Sequence, residues 1–262
     1  MCNVALSIGD ATIGYRDGKS VVPVVTAINA TLCAGEVVAL IGMNGAGKST
    51  LLRTLSAFQL PLSGRVEYAA GDVAGLSSAE LARYVSVVLT ENDFADITVG
   101  ELVALGRTPY TGFLGRLTAA DNEVVAAAMQ RMGVAHLAGR VVTTLSDGER
   151  QKCLVAKAIA QQTPLMLLDE PTAFLDFRSK VQLFRTLGAL AADAGKAIVV
   201  STHDIEMALR FAGKLWLVCD GRLYEGSAQQ LAADGLLQRF IDGDGIVYDK
   251  ENNRIEITQV II

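Results

Sequence analysis

The segment Gly42-Met43-Asn44-Gly45-Ala46-Gly47-Lys48-Ser49-Thr50 constrains this chain more than any other. Its spacing is G-x-x-x-x-G-K-[ST]. The apolar, β-branched run Val37-Val38-Ala39-Leu40-Ile41 precedes it and predicts a buried strand of a parallel sheet. Residues 49–58 follow it and predict a helix. A glycine-rich turn between such a strand and helix can curl so that several backbone N–H groups point inward at phosphate oxygens. The helix adds the positive end of its dipole. Lys48 is then placed to reach β- and γ-phosphates, and the Ser49 hydroxyl to ligate Mg²⁺.

The bland alternative is an ordinary glycine turn. Average residue frequencies put a chance match at about 1% in a chain this long, and the flanking strand and helix lower it further. By itself the loop implies nucleotide phosphate binding, which kinases, GTPases, recombinases and transport ATPases share. A second segment narrows the choice. Leu165-Met166-Leu167-Leu168-Asp169-Glu170-Pro171 is an apolar strand ending in two acids. Ligands of parallel sheets bind at the carboxyl ends of the strands, so Asp169 is expected beside the loop. Asp169 can hold Mg²⁺, directly or through water. Glu170 can orient or deprotonate an attacking water. A third apolar run, Ala197-Ile198-Val199-Val200-Ser201, ends in Thr202-His203-Asp204, and His203 can donate a hydrogen bond to a γ-phosphate. His136 has no such setting and is read as structural.

Strands alternating with helical stretches, including the run Leu215-Trp216-Leu217-Val218, indicate an α/β core. Between about 98 and 160 the pattern is mostly helical. Thr118 and Asp121 have capping-box spacing and open a helix expected at 122–132. A helical subdomain of about 91–160 is therefore expected as an insertion in a core of about 1–90 and 161–262, all within one domain. Residues 246–257 alternate around Glu251-Asn252-Asn253, the pattern of a hairpin. The 262 residues are 51% apolar and 19% charged, which implies a folded chain. The net charge of −5 gives no electrostatic reason to bind nucleic acid. No apolar run reaches the roughly 18–20 residues that span a bilayer. The start, Met1-Cys2-Asn3-Val4, lacks the basic and apolar regions of a signal peptide. A cytoplasmic protein is expected, one that acts at a membrane only by docking onto proteins that span it. Cys2, Cys33, Cys153 and Cys219 show no metal spacing and are read as four unpaired thiols.

Leu145-Ser146-Asp147-Gly148-Glu149-Arg150-Gln151-Lys152 precedes a helical run to Ala160. Ser146 and Glu149 again have capping-box spacing, and such a helix end is also an anion site. In wording and position the segment resembles the signature motif of the ATP-binding-cassette (ABC) ATPases. Other motifs of that family appear in order along the chain. Ala173-Phe174-Leu175-Asp176 resembles the D-loop, His203 the switch histidine, and Tyr15 the aromatic residue that stacks on adenine. The resemblance runs over about residues 4–226. It implies a P-loop NTPase fold of the ABC type, with a mixed core sheet flanked by helices and the inserted helical subdomain. It also implies that two copies sandwich two ATP molecules with Mg²⁺. Ser146, Gly148 and Glu149 of one copy would meet the ATP held by the loop of the other, with Asp176 at the D-loop between them. Two departures stand out. Asp147 occupies a position where the family has glycine. The family's glutamine after Val87-Val88 is missing, and either Thr90 or Glu91 takes its place at the metal.

The stretch Thr98-Val99-Gly100-Glu101-Leu102-Val103-Ala104-Leu105-Gly106-Arg107-Thr108-Pro109-Tyr110 looks like the importer branch that handles iron–siderophore complexes, haem and cobalamin. That likeness implies an ATPase on the cytoplasmic face of the membrane. Its partners would be a second copy, two permease subunits and, indirectly, an external substrate-binding protein. Residues 94–107 would be the docking surface. The alternatives are an ATPase of another ABC transporter class, or a non-transport ABC ATPase.

Overall fold

The computed structural model describes residues 2–18, 20–89, 96–112, 115–243 and 245–257. The chain opens with two long strands, β1 (Val4–Asp17) and β2 (Ser20–Cys33), followed by β3 (Val37–Gly42) and α1 (Lys48–Leu55). Next come β4 (Ser63–Tyr68), β5 (Gly71–Asp72), α2 (Ser78–Tyr84) and β6 (Val85–Val88). The helical middle holds α3 (Val99–Ala104), α4 (Ala119–Arg131) and α5 (Asp147–Ala160). The second half alternates: β7 (Leu165–Leu168), α6 (Phe177–Ala194), β8 (Ala197–Ser201), α7 (Ile205–Phe211), β9 (Lys214–Cys219) and β10 (Arg222–Gly226). It ends with α8 (Ala228–Ala233), α9 (Leu236–Ile241), β11 (Ile246–Asp249) and β12 (Arg254–Ile257).

Six strands form the core sheet in the order β10-β9-β3-β8-β7-β6. Every pairing is parallel except β10 with β9, so the sheet is mixed. Its strands are apolar throughout because both faces are covered. Leu165 and Leu167 of β7 and Ala197 and Val199 of β8 pack on one side with Leu51, Leu52 and Leu55 of α1. Met166 and Leu168, with Ile198 and Val200, point to the other side, toward α5 and α6. The period-two alternation of a strand thus feeds two cores at once.

A second sheet, antiparallel and ordered β2-β1-β4-β5, covers α1 from outside; Leu6, Ile8, Ile13, Ile28 and Leu32 are buried against it. The sequence reading did not anticipate this sheet. The hairpin at 246–257 forms as expected, Asp249 facing Arg254 across the turn.

Helix limits differ from the expectation. Helix α1 stops at Leu55 rather than 58, because Ala57 turns left-handed at φ 59° and the Phe58 N–H bonds back to the Arg53 carbonyl. Helix α4 starts at Ala119, not 122, immediately after its Thr118 cap; Thr118 and Asp121 exchange hydrogen bonds as a capping box. The cysteine reading is corrected as well. Val4 pairs with Cys33 across β1 and β2, and that register sets Cys2 beside Cys33, with Cα atoms 5.8 Å apart and the sulfurs bonded. Cys153 and Cys219 are free.

Candidate functional site

Parallel register brings the chemistry to one end of the sheet. Leu40 pairs with Ser201, Leu168 with Val200 and Val88 with Leu168, so the turns after β3, β7 and β8 leave the same edge. A cleft of about 410 Å³ opens there, lined by Tyr15, Val24, Asn44, Gly45, Gly47, Lys48, Ser49, Thr50, Glu170 and His203. These residues come from five separate stretches of sequence.

The loop's conformation requires its glycines. Gly45 and Gly47 sit at φ 76° and 108°, where a side chain is strained. A Cβ on Gly47 would also lie 2.7 Å from the Val24 side chain. Gly42 is pressed against β9: a Cβ there would meet the Val218 carbonyl oxygen at 2.7 Å. Between them, the Ala46 N–H bonds to the Met43 carbonyl and closes the turn. Gly47 caps α1 without a side-chain hydrogen bond, so the first N–H groups of the helix have no side-chain partner at the cap.

Lys48 is buried and folds back over the loop, Nζ donating to the carbonyls of Gly42 at 2.8 Å and Met43 at 3.2 Å. Burial pushes its pKa down, opposed by the nearby carboxylates of Glu170 and Asp169. Tyr15 is half exposed, and its hydroxyl shares a 2.6 Å hydrogen bond with Thr50 Oγ1.

Asp169 is buried, and its Oδ1 accepts from Ser201 Oγ at 2.6 Å. The same Ser201 oxygen accepts the Glu170 N–H at 2.9 Å. Ser201, itself fully buried, therefore ties both acids to β8. Glu170 has φ 49°, an uncommon conformation for a side chain this size, and strained backbone of this kind gathers at active sites. His203 Nε2 lies 3.0 Å from Glu170 Oε1. Burial raises the Glu170 carboxyl above its ordinary value, while His203 and then Lys48 pull it back. A carboxyl with raised pKa beside an imidazole suits proton transfer near neutral pH.

The donor set for a metal is oxygen only: the Ser49 hydroxyl and the Asp169 carboxylate. No cluster of three or more His, Cys, Asp or Glu capable of holding a metal occurs among the described residues. Few protein ligands, all oxygen, fit a magnesium ion that takes its remaining ligands from phosphate and water. Thr90 and Glu91 lie outside the described residues.

Ser146, Gly148, Glu149 and Asp176 do not line the cleft. Ser146 caps α5 and exchanges hydrogen bonds with Glu149, whose carboxylate sits below its ordinary pKa because of them. Gly148 packs on the D-loop: a Cβ there would lie 3.0 Å from the Phe174 carbonyl. Asp176 caps α6 by accepting the Ser179 N–H at 2.7 Å, and Lys152 of α5 donates to Ser179 Oγ at 2.9 Å. The two segments thus form one connected surface. Asp147 is exposed and paired with Arg150 at 3.1 Å, which offsets its charge.

The docking expectation at 94–107 needs revision at its end. Arg107 is buried, held by Asp121 Oδ1, the Ala160 carbonyl and Gln162 Oε1, each at 2.9 Å, with the Tyr110 ring 4.2 Å away. Among the described residues of 96–110, the exposed large apolar side chains are Leu105 and Tyr110, both in a 3-10 turn that follows α3. Phe94 lies outside the described residues. The sequence reading also passed over Ser201, quoted only as the end of a strand, and Val24; neither is distinguishable from an ordinary strand residue by local pattern.

Comparison with known proteins agrees with this geometry. The family model described as ABC transporter matches residues 25–173. The chain is 39% identical over 208 residues to the ferric enterobactin transport ATP-binding protein of Escherichia coli, covering 78% of this chain and 76% of that one. It is 41% identical over 202 residues to a cobalamin import ATP-binding protein of Halobacterium salinarum, covering 77% of this chain but only half of that protein's length. Among solved structures, an ABC transporter described as of metal-chelate type, in an inward-facing conformation, matches with TM-score 0.76 at 28% identity over 91% of this chain and 89% of that one. A dimeric bacterial ABC transporter cassette matches with TM-score 0.76 at 25% identity over 85% of this chain and 98% of that one.

Proposed function

We propose, for a chain that belongs to the ABC transporter family of ATP-binding proteins, that it hydrolyses ATP to energise a membrane importer of iron–siderophore, haem or cobalamin. One observation carries the ATPase reading: a single cleft gathers Tyr15, the phosphate loop, Lys48, Ser49, Glu170 and His203. The importer branch rests on the 98–110 segment and on the kinship with enterobactin and cobalamin transport proteins.

In this reading the Tyr15 ring stacks on adenine. The N–H groups around Gly45 and Gly47 and the start of α1 surround the phosphates. Lys48, already desolvated, turns from the loop carbonyls to the β- and γ-phosphates. Mg²⁺ held by Ser49 and Asp169 would neutralise phosphate charge. Glu170 accepts a proton from water as the water oxygen bonds to the γ-phosphorus and the bond to the β-phosphate oxygen breaks. His203 orients Glu170 and donates to the γ-phosphate. Ser146, Gly148 and Glu149 lie on a surface separate from the cleft, which suits their delivery by a second copy, with Asp176 beside them. The membrane subunits would dock at Leu105 and Tyr110, and no helix among the described residues is long and apolar enough to cross a bilayer itself. Docking to such partners would set the chain at the cytoplasmic face.

Affinity purification of tagged Glu170→Gln protein from solubilised native membranes tests this reading. A polytopic membrane protein in equal amount supports it. Ribosomal or DNA-associated proteins in its place would retain the ATPase and discard the transporter.

A further inference from the structure

A groove of about 730 Å³ lies away from the phosphate cleft, between α4 and α6. Val124 and Ala127 of α4, Ile159 of α5, and Leu190 and Ala194 of α6 give it an apolar lining, broken by the amides of Gln130 and Gln162. Lys196, just past the Gly195 cap of α6, also lines it. This lysine is only 8% exposed. Its Nζ donates to the Thr163 carbonyl oxygen, a neutral acceptor. Burial alone lowers its pKa, to about 8, with no carboxylate among the described residues pulling the other way. Glu123 and Arg131, both exposed, also line the groove.

A buried ammonium without a carboxylate is costly unless a partner arrives. Ligand sites combine apolar walls with a few placed polar groups, and here the buried Lys196 adjoins a mostly apolar trough. Polyphosphates demand more donors than one lysine supplies, and an uncharged apolar molecule would leave the ammonium without a counter-charge. We propose that this groove binds a small apolar carboxylate, with its head on Lys196 and its body along α4 and α6. The site uses no residue of the phosphate cleft, so the inference stands apart from the nucleotide reading.

The test is calorimetric titration of the full chain with octanoate, with 1-octanol as the uncharged control. Octanoate is expected to saturate a single site and octanol to bind at least tenfold more weakly. Lys196→Met should weaken octanoate at least tenfold, about 1.4 kcal/mol. Ala127→Trp, an exposed position facing the groove, should abolish octanoate binding while ATP affinity stays intact and certifies the fold. Absence of saturable binding, equal affinity for octanol, or undiminished octanoate binding by either variant overturns the proposal. Should Lys196→Met fail to fold, the octanol and Ala127→Trp comparisons decide the matter.

Discussion

Ser201→Ala removes one oxygen from a place where two acids, Asp169 and Glu170, converge. That oxygen donates to Asp169 Oδ1 at 2.6 Å and accepts the Glu170 N–H at 2.9 Å, with Ser201 fully buried. A hydrogen bond to a charged group contributes about 1.5–3 kcal/mol, and a backbone N–H left buried without a partner costs about 1–3 kcal/mol. Water reaching the cleft recovers part of this, so a net loss of about 3 kcal/mol is expected. Urea denaturation should show it as a lower midpoint with unchanged slope. Function should suffer separately, because Glu170 holds a left-handed φ of 49° that the Ser201 contact helps maintain. Single-turnover ATP hydrolysis at saturating ATP is expected to fall about ten- to a hundredfold, on the scale by which small displacements of catalytic groups slow reactions. ATP affinity should change little, since Ser201 does not line the cleft. Stability within about 0.5 kcal/mol of the parent, together with an unchanged hydrolysis rate, would refute the view that Ser201 ties the two acids in place.

Gly47→Ala combines a φ of 108° with a Cβ 2.7 Å from Val24. A loss of about 2 kcal/mol or more and much weaker ATP binding are expected from denaturation and titration; a fully stable variant with parental affinity would contradict the loop geometry. Asp121 is held at about 2, against 3.8 for the free side chain, first by the Thr118 hydroxyl, then by the Thr118 backbone N–H and by Arg107. Its folded pKa is depressed, so its contribution to stability is complete above about pH 4 and disappears as pH falls toward 2. NMR titration of the folded protein should find Asp121 still ionised at pH 3, and an ordinary titration near 4 would remove the capping and Arg107 contacts from the account.

Much of the site was legible because its signals are local. The phosphate loop lies in nine consecutive residues between an apolar strand and a helix. The paired acids close another apolar run. Thr118 with Asp121 and Ser146 with Glu149 announce their helices at fixed spacing, and both capping boxes form. The outer sheet was illegible for a physical reason. Strands β1 and β2 shift register between Ile8 and Ala11, and Asp10 and Ala27 turn to positive φ, so the two-residue alternation breaks midway. The Cys2–Cys33 bond depends on that register across a separation of 31 residues, which spacing alone does not reveal. Arg107 closes the docking stretch expected at 94–107, and its burial was not legible there because its partners Asp121, Ala160 and Gln162 are remote in sequence.

The most direct test of the central claim compares parent, Lys48→Ala and Glu170→Gln proteins for ATP binding and for phosphate release, at concentrations high enough for two copies to meet. The expected result is that Lys48→Ala fails to bind ATP, while Glu170→Gln binds as the parent does yet releases almost no phosphate. Phosphate release by Glu170→Gln at the parental rate, or undiminished ATP affinity in Lys48→Ala, would contradict the assignment of this cleft as an ATP-hydrolysing site.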